Sequence, residues 1–287
     1  RYSLITLEGS ALAVIGAWVA YRPHEDWRLG LGLQILAGRF VTTTMFGACV
    51  PEKFFCAPEQ PEWDTLTQLS VGPIVAPSGN LGVKWLPHEE WKLGVAFQAP
   101  VIIRAPAEIR VRLPSTPAFE TAYIEGSEAD VAFELPWSLR WGVQFEPVEE
   151  LALEIDGSWE GWSIHDEINV YPRQVTIHDL PGFPNPYQVP NVTIPRNFRD
   201  SLSVRLGGEY TIDLSELLLI FRGGFSFESS AIPPEYMSVL TIDMPKLTTG
   251  LGLGLEVDAW RFDMVFAHVF GLDVTVDPRE ARSPKLM

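Results

Sequence analysis

The chain has 287 residues, of which 46% are hydrophobic and 20% charged, with a formal net charge of −16. Its longest apolar stretch, Ala11–Ala20, falls short of the roughly 18 residues a membrane-spanning helix needs, so any crossing of a bilayer has to be made by a β-barrel. The acid surplus removes nucleic acid as a partner, because phosphate binding needs basic patches.

Period-2 alternation runs through the sequence and predicts strands in succession. Trp27, Leu29, Leu31, Leu33 and Ile35 alternate with Arg28, Gly30, Gly32 and Gln34. Trp91, Leu93, Val95 and Phe97 oppose Lys92, Gly94, Ala96 and Gln98. Phe133, Leu135, Trp137, Leu139, Trp141, Val143 and Phe145 oppose Glu134, Ser138, Arg140, Gly142 and Gln144. Leu247, Leu251, Leu253, Leu255 and Val257 oppose Gly250, Gly252, Gly254 and Glu256. The last segment sets Trp260, Phe262, Met264, Phe266, His268 and Phe270 against Arg261, Asp263, Val265, Ala267 and Val269.

Short turns are expected near Pro23–Asp26, Pro87–Glu90, Glu146–Glu149, Asp213–Ser215 and Asp258–Ala259, and long excursions over Val41–Gln68, Pro114–Glu128, Tyr171–Phe198 and Ser229–Pro245. This reading gives ten strands in five hairpins. Two turns nearly repeat, Tyr21-Arg-Pro-His-Glu-Asp-Trp27 and Trp85-Leu-Pro-His-Glu-Glu-Trp91, which makes His24 and His88 turn residues.

The second face of each strand decides between architectures. A sandwich strand shows water a surface rich in Thr, Lys and Glu, whereas here that face is Gly or Ala with scattered charge. Small and charged residues suit a lumen, large apolar ones suit lipid, and short turns alternating with long loops suit an outer-membrane barrel. The expected fold is all-β, an antiparallel up-and-down transmembrane β-barrel in a single domain over residues 1–287. The ten Trp, sixteen Phe and seven Tyr fit its interfacial girdles, and fit a sandwich core as well.

The motifs, in order, resemble those of the FadL/TodX family of outer-membrane transporters for long-chain fatty acids and other hydrophobic compounds. They comprise the strand–turn–strand around Ala17–Gln34, Gly79-Asn-Leu-Gly-Val-Lys-Trp85, Leu135-Pro136-Trp137, Trp159-Glu-Gly-Trp162-Ser163, Phe198-Arg199-Asp200, Gly207-Gly208-Glu209-Tyr210, Arg222-Gly223-Gly224 and Ile232-Pro233-Pro234-Glu235-Tyr236. The resemblance implies a 14-stranded barrel plugged by an N-terminal hatch, with loops forming a greasy landing groove and an exit through a gap in the wall. Against that pattern the sequence reads as a fragment lacking the hatch, about four strands and the terminal aromatic strand. The resemblance implies a bacterial outer-membrane location, contact with outer-membrane lipid and lipopolysaccharide, a monomer, a hydrophobic small-molecule ligand and no cofactor.

An amphiphile carrier needs apolar surface for the tail and a cation for a carboxylate. Phe46, Phe54 and Phe55 beside Met45, and Phe119 with Tyr123, are candidates for capture in the loops; the alternative is that these rings pack on one another. The resemblance places a head-group cation at Arg199, with Arg205 and Arg222 as inward-pointing candidates; the alternative is that they pair with Asp200, Glu209 or other lumen acids. Cys49 and Cys56 are either a loop disulfide or two free thiols, and no metal site is expected.

No Gly-x-Ser-x-Gly, HExxH or nucleotide fingerprint occurs, so an enzyme is not expected. Rival readings are a general-diffusion or structural barrel, a barrel enzyme using Ser163 and His165, and a soluble sandwich.

Overall fold

The computed structural model describes residues 4–47, 49–50, 55–56, 61–180, 182–237 and 242–277. Ten strands form one antiparallel wall in sequence order. They are β1 (Ala11–His24), β2 (Trp27–Gly47), β3 (Asp64–His88), β4 (Trp91–Gln98, resumed as Val101–Arg112) and β5 (Glu128–Leu135, resumed as Ser138–Val148). The wall continues through β6 (Leu151–Glu160, resumed as Glu167–Pro172), β7 (Val192–Pro195, resumed as Ser201–Asp213), β8 (Leu218–Glu228), β9 (Lys246–Val257) and β10 (Trp260–Gly271). Each strand pairs with its sequence neighbours, and among the described residues β1 and β10 pair on one side only. The hairpins β1–β2, β3–β4, β5–β6, β7–β8 and β9–β10 turn where the sequence places its five short turns.

Register puts like with like across the wall. Leu29↔Val83, Leu31↔Leu81, Trp141↔Val95, Ile155↔Val143, Leu206↔Ile155, Phe225↔Leu206 and Phe262↔Leu255 fall on one face. Arg28↔Lys84, Gly142↔Gly94, Asp156↔Arg205, Glu209↔Arg222 and Gly254↔Asp263 fall on the other. The large apolar face is bare: Leu33 is 69% exposed, Leu251 70% and Met264 68%. A soluble fold does not leave so extended an apolar surface to water, whereas acyl chains cover it in a bilayer.

Two aromatic belts bound this face. At the short-turn end Trp27 stacks on Trp85 (5.5 Å) and Trp91 on Phe145 (4.3 Å). At the far end Trp137 meets Trp159 edge-on (5.3 Å) and lies 6.2 Å from Phe97. Between them strands run eight to ten residues. At about 3.4 Å per residue and a tilt near 40°, that crosses a band roughly 20–26 Å tall, the height of a hydrocarbon core.

Above the band the strands continue further than the sequence reading expects. The excursion read from Val41 to Gln68 is strand as far as Gly47 and again from Asp64. The excursion read over Tyr171–Phe198 is strand at Tyr171–Pro172 and over Val192–Pro195. Thr42–Thr44 carry no apolar alternation, but β-branched threonines fit a pleated ladder beyond the lipid.

Between β3 and β4 the ladder stops over 72–79 and 99–106, then resumes from Val71↔Ala107 without a slip. Here Ile74 and Ala76, from the glycine-and-charge face of β3, gather with Ile103, Ala105, Ala107, Ala129 and Val131, from the lipid-side register of β4 and β5. The strands lap, and this is where the buried apolar cluster sits. Gly38 (φ +143°) and Gly72 (φ +148°) make the lap possible, in backbone that side chains rarely adopt. A Cβ on Gly38 would sit 2.1 Å from the Ala11 carbonyl oxygen.

Candidate functional site

The inner face of β6–β10 carries a ladder of charge. The Arg205 guanidinium donates to Asp156 (2.9 Å). Arg222 donates to Glu209 on β7 (2.5 Å) and to Asp263 on β10 (2.6 Å), and Arg261 donates to Asp263 (2.8 Å) and Glu256 (2.9 Å). Beside the ladder a recess of about 540 Å³ is lined by Glu154, Asp156, Arg205, Glu209, Arg222 and Gly224. A second, of about 510 Å³, is lined by Arg28, Lys84, Arg140, Gly94, Gly142 and Glu154. Volumes of this order hold a small organic ligand. A Cβ on Gly94 would meet nothing within 4 Å, and one on Gly207 only the Gly223 carbonyl oxygen at 3.9 Å. Local packing does not demand glycine there; its smallness keeps the inner face clear.

The three candidate arginines do not share one site. Arg205 and Arg222 border the same recess, and both are held by acids, as the pairing alternative states. Arg199 stands at the rim, 67% exposed, with its guanidinium 3.5 Å from Glu235 rather than paired with Asp200. Its backbone N–H donates to the Ala231 carbonyl (2.8 Å), which ties the β8–β9 loop to the rim.

The loop aromatics are divided. Phe119 meets Trp63 edge-on at 6.1 Å, and Ser115 N–H bonds the Glu62 carbonyl (2.9 Å), so this loop docks at the start of β3. Tyr123 belongs to a three-stranded sheet of Tyr123–Glu125, Thr176–His178 and Tyr187–Gln188, where it stacks on His178 at 4.6 Å. The backbone of Phe46 lies opposite Thr65 at the outer end of β2, and that of Phe55 opposite Val50. Phe54 lies outside the described residues. Cys49 and Cys56 are direct Cα partners in a two-stranded ladder of Cys49–Val50 and Phe55–Cys56.

Ser163 and His165 sit on and just after a 3₁₀ turn, Trp162–Ile164, that interrupts β6. They engage different partners. The Ser163 N–H donates to Asp200 (3.0 Å), while His165 Nδ1 lies 2.6 Å from the Glu134 carbonyl oxygen. Asp200 also accepts from Trp159 Nε1 (3.0 Å). The Ser163 hydroxyl, helped by its N–H and the indole, holds the Asp200 carboxyl below its ordinary pKa against the opposing effect of burial. Burial, with some help from the charge of Arg196, lowers His165 below the usual imidazole value.

A grouping that motif reading does not assemble lies here: Trp162, His165 and Phe198, with ring centroids 5.1 to 6.2 Å apart, and Arg196 within electrostatic reach of His165. Trp162 and Phe198 stand in motifs that resemble the family's, but Arg196 and His165 do not.

The profile of the family described as "Outer membrane protein transport protein (OMPP1/FadL/TodX)" matches residues 11–285. The chain belongs to this family. Three solved structures with the same fold are the Pseudomonas aeruginosa FadL homologue, the CymD monoaromatic hydrocarbon channel and the P. putida toluene transporter TodX. The first shares 15% identity at a TM-score of 0.66, covering 95% of this chain and 63% of that one. CymD shares 18% at 0.51, covering 94% and 72%. TodX shares 17% at 0.51, covering 92% and 64%. The FadL/TodX chain described here thus spans less than two thirds of the length of the P. aeruginosa homologue. No curated protein matches it significantly.

Proposed function

We propose that this FadL/TodX chain forms the wall of a bacterial outer-membrane channel for passive uptake of hydrophobic small molecules. The observation that carries the reading is the separation of faces: across ten paired strands, bulky apolar residues share one side, and glycine with paired charge shares the other. The first side is a lipid surface and the second a hydrated passage. Long-chain fatty acids and monoaromatic hydrocarbons are the ligand classes to compare.

In this reading the loop aromatics Phe46, Phe54, Phe55, Phe119 and Tyr123 capture ligand, and Arg199, Arg205 and Arg222 meet a carboxylate. The same reading puts the side exit at the lap between β3 and β4, where the paired register is interrupted over 72–79 and 99–106, with Ala99 N–H donating to the Gly79 carbonyl oxygen (2.8 Å) at its edge. Uptake needs no cofactor, and the channel works as a monomer among outer-membrane lipid and lipopolysaccharide. Proteoliposomes containing the chain are expected to take up radiolabelled toluene or laurate faster than empty ones. Uptake of both compounds no faster than into empty vesicles would reject the reading.

A second reading, a general-diffusion barrel, is favoured by the charged ladder of Asp156, Arg205, Glu209 and Arg222. Liposome swelling in small sugars as fast as in a porin control would select it.

A further inference from the structure

The tryptophans of the two belts lie on the lipid side of the wall, but Trp18 of β1 does not. It is the Cα partner of Gly32 on β2, Gly32 of Asn80 on β3, Asn80 of Gln98 on β4, and Gln98 of Ser138 on β5. Directly opposed residues share a face, so this row crosses the inner side of the wall. Its first member is a large aromatic ring in a row otherwise made of glycine and polar residues.

The wall holds that ring flat. A Cβ on Gly32 would collide with Cδ1 and Nε1 of Trp18 and with Oδ1 of Asn80, and one on Gly16 would sit 2.6 Å from Trp18 Cη2. The five-membered ring therefore lies over one glycine and the six-membered ring over the other, and a side chain at either would lift the indole. Gly94 and Gly207, by contrast, have room for one. Trp18 is 58% exposed, so one face of the indole covers the wall and the other is open. It borders a recess of about 420 Å³ whose lining also includes Asn80, Gln98, Ser138 and Arg140, a volume that suits a small organic ligand. The Gln98 amide N–H is already given to Ser78 Oγ (2.9 Å), whereas Asn80 Oδ1, beside the indole Nε1, accepts no hydrogen bond among the described residues.

We infer that Trp18 and Asn80 form an inner binding site for a single aromatic ring that carries a hydroxyl, a phenol rather than a plain hydrocarbon. The ring stacks on the open face of the indole, and the hydroxyl donates to Asn80 Oδ1. A hydrocarbon in the same place would cover that oxygen without pairing it, which costs free energy. A phenol, with a pKa of about 10, arrives neutral, so the site needs no cation. The inference rests on the channel reading above and names a ligand class for its inner face.

The test uses the full chain in detergent and measures binding of radiolabelled p-cresol, toluene and 4-methylcyclohexanol by equilibrium dialysis against the same detergent. Trp18→Leu is expected to weaken p-cresol binding at least fivefold. Trp18→Phe, which keeps an aromatic face, is expected to recover most of that loss and controls for misfolding. Asn80→Ala is expected to weaken p-cresol at least threefold, to the level of toluene, and to leave toluene unchanged. Equal losses of p-cresol and 4-methylcyclohexanol in Trp18→Leu, no loss of p-cresol in that variant, or a preference for p-cresol over toluene that survives Asn80→Ala would overturn the site. A wild-type chain that takes up toluene into vesicles but binds p-cresol no better than 4-methylcyclohexanol sinks the site alone. One that binds p-cresol through Trp18 but admits neither toluene nor laurate into vesicles supports the site and sinks the channel reading.

Discussion

Replacing Leu206 with arginine puts a charge halfway along β7, between Ile155 on β6 and Phe225 on β8, on a side chain that is 51% exposed. If that surface faces acyl chains near the bilayer midplane, the substitution costs about 2–4 kcal/mol. Gly207 is the next residue and points the other way; its Cβ position meets only the Gly223 carbonyl oxygen at 3.9 Å. Arginine there enters water, and the expected change is within roughly 0.5–1 kcal/mol. Guanidinium titration of the chain folded into phospholipid vesicles, followed by tryptophan fluorescence, reads both. With a slope of about 4 kcal/mol per molar, Leu206→Arg lowers the midpoint by about 0.5–1 M and Gly207→Arg leaves it nearly in place. Were the Leu206 side of β7 turned to water, Leu206→Arg would be the harmless change. A midpoint shift for Gly207→Arg as large as that for Leu206→Arg refutes the assignment of faces.

Widening the side chain at Gly94, where a Cβ has open space, should fold normally and obstruct passage: Gly94→Trp is expected to cut toluene uptake several-fold at unchanged stability in the same titration. The Asp200 carboxyl has a depressed folded-state pKa, so its contribution is present above the unfolded value near 3.9 and fades as pH falls through the folded one. Proteolysis of the 162–200 segment should therefore rise only at strongly acid pH, and Asp200→Asn should show the raised rate at every pH. Opposed Cα atoms at Cys49 and Cys56 lead us to expect a cross-link, so a non-reducing peptide map should recover both in one peptide that separates on adding thiol.

The wall was legible because a barrel strand writes its two environments in alternate residues: the run from Trp260 to Phe270 needs no tertiary knowledge to be divided into faces. Turn chemistry, with Pro and paired acids at 87–90 and Asp258 at positive φ, placed the hairpins. The lap between β3 and β4 was not legible. Ala76, Ala105, Ala107 and Ala129 are small residues whose burial depends on strands distant in sequence, and Ile103 reads as lipid-facing although β3 covers it. The charges gave a mixed result. Counting by twos put Arg205 and Arg222 inside, yet which acid each would meet depends on cross-strand register, and Arg222 reaches Asp263 across β9. Arg196 escaped notice because it lies in a break between strand legs, where no alternation assigns a side.

The face assignment is tested most directly by placing a nitroxide at each position from 202 to 210 in a cysteine-free background, in lipid vesicles, and measuring its relaxation by oxygen and by a water-soluble nickel chelate. Oxygen contact should peak at 202, 204, 206 and 208 and nickel contact at 203, 205, 207 and 209. Nickel contact that is strongest at the Leu202, Val204 and Leu206 positions, or that shows no alternation along β7, contradicts the account.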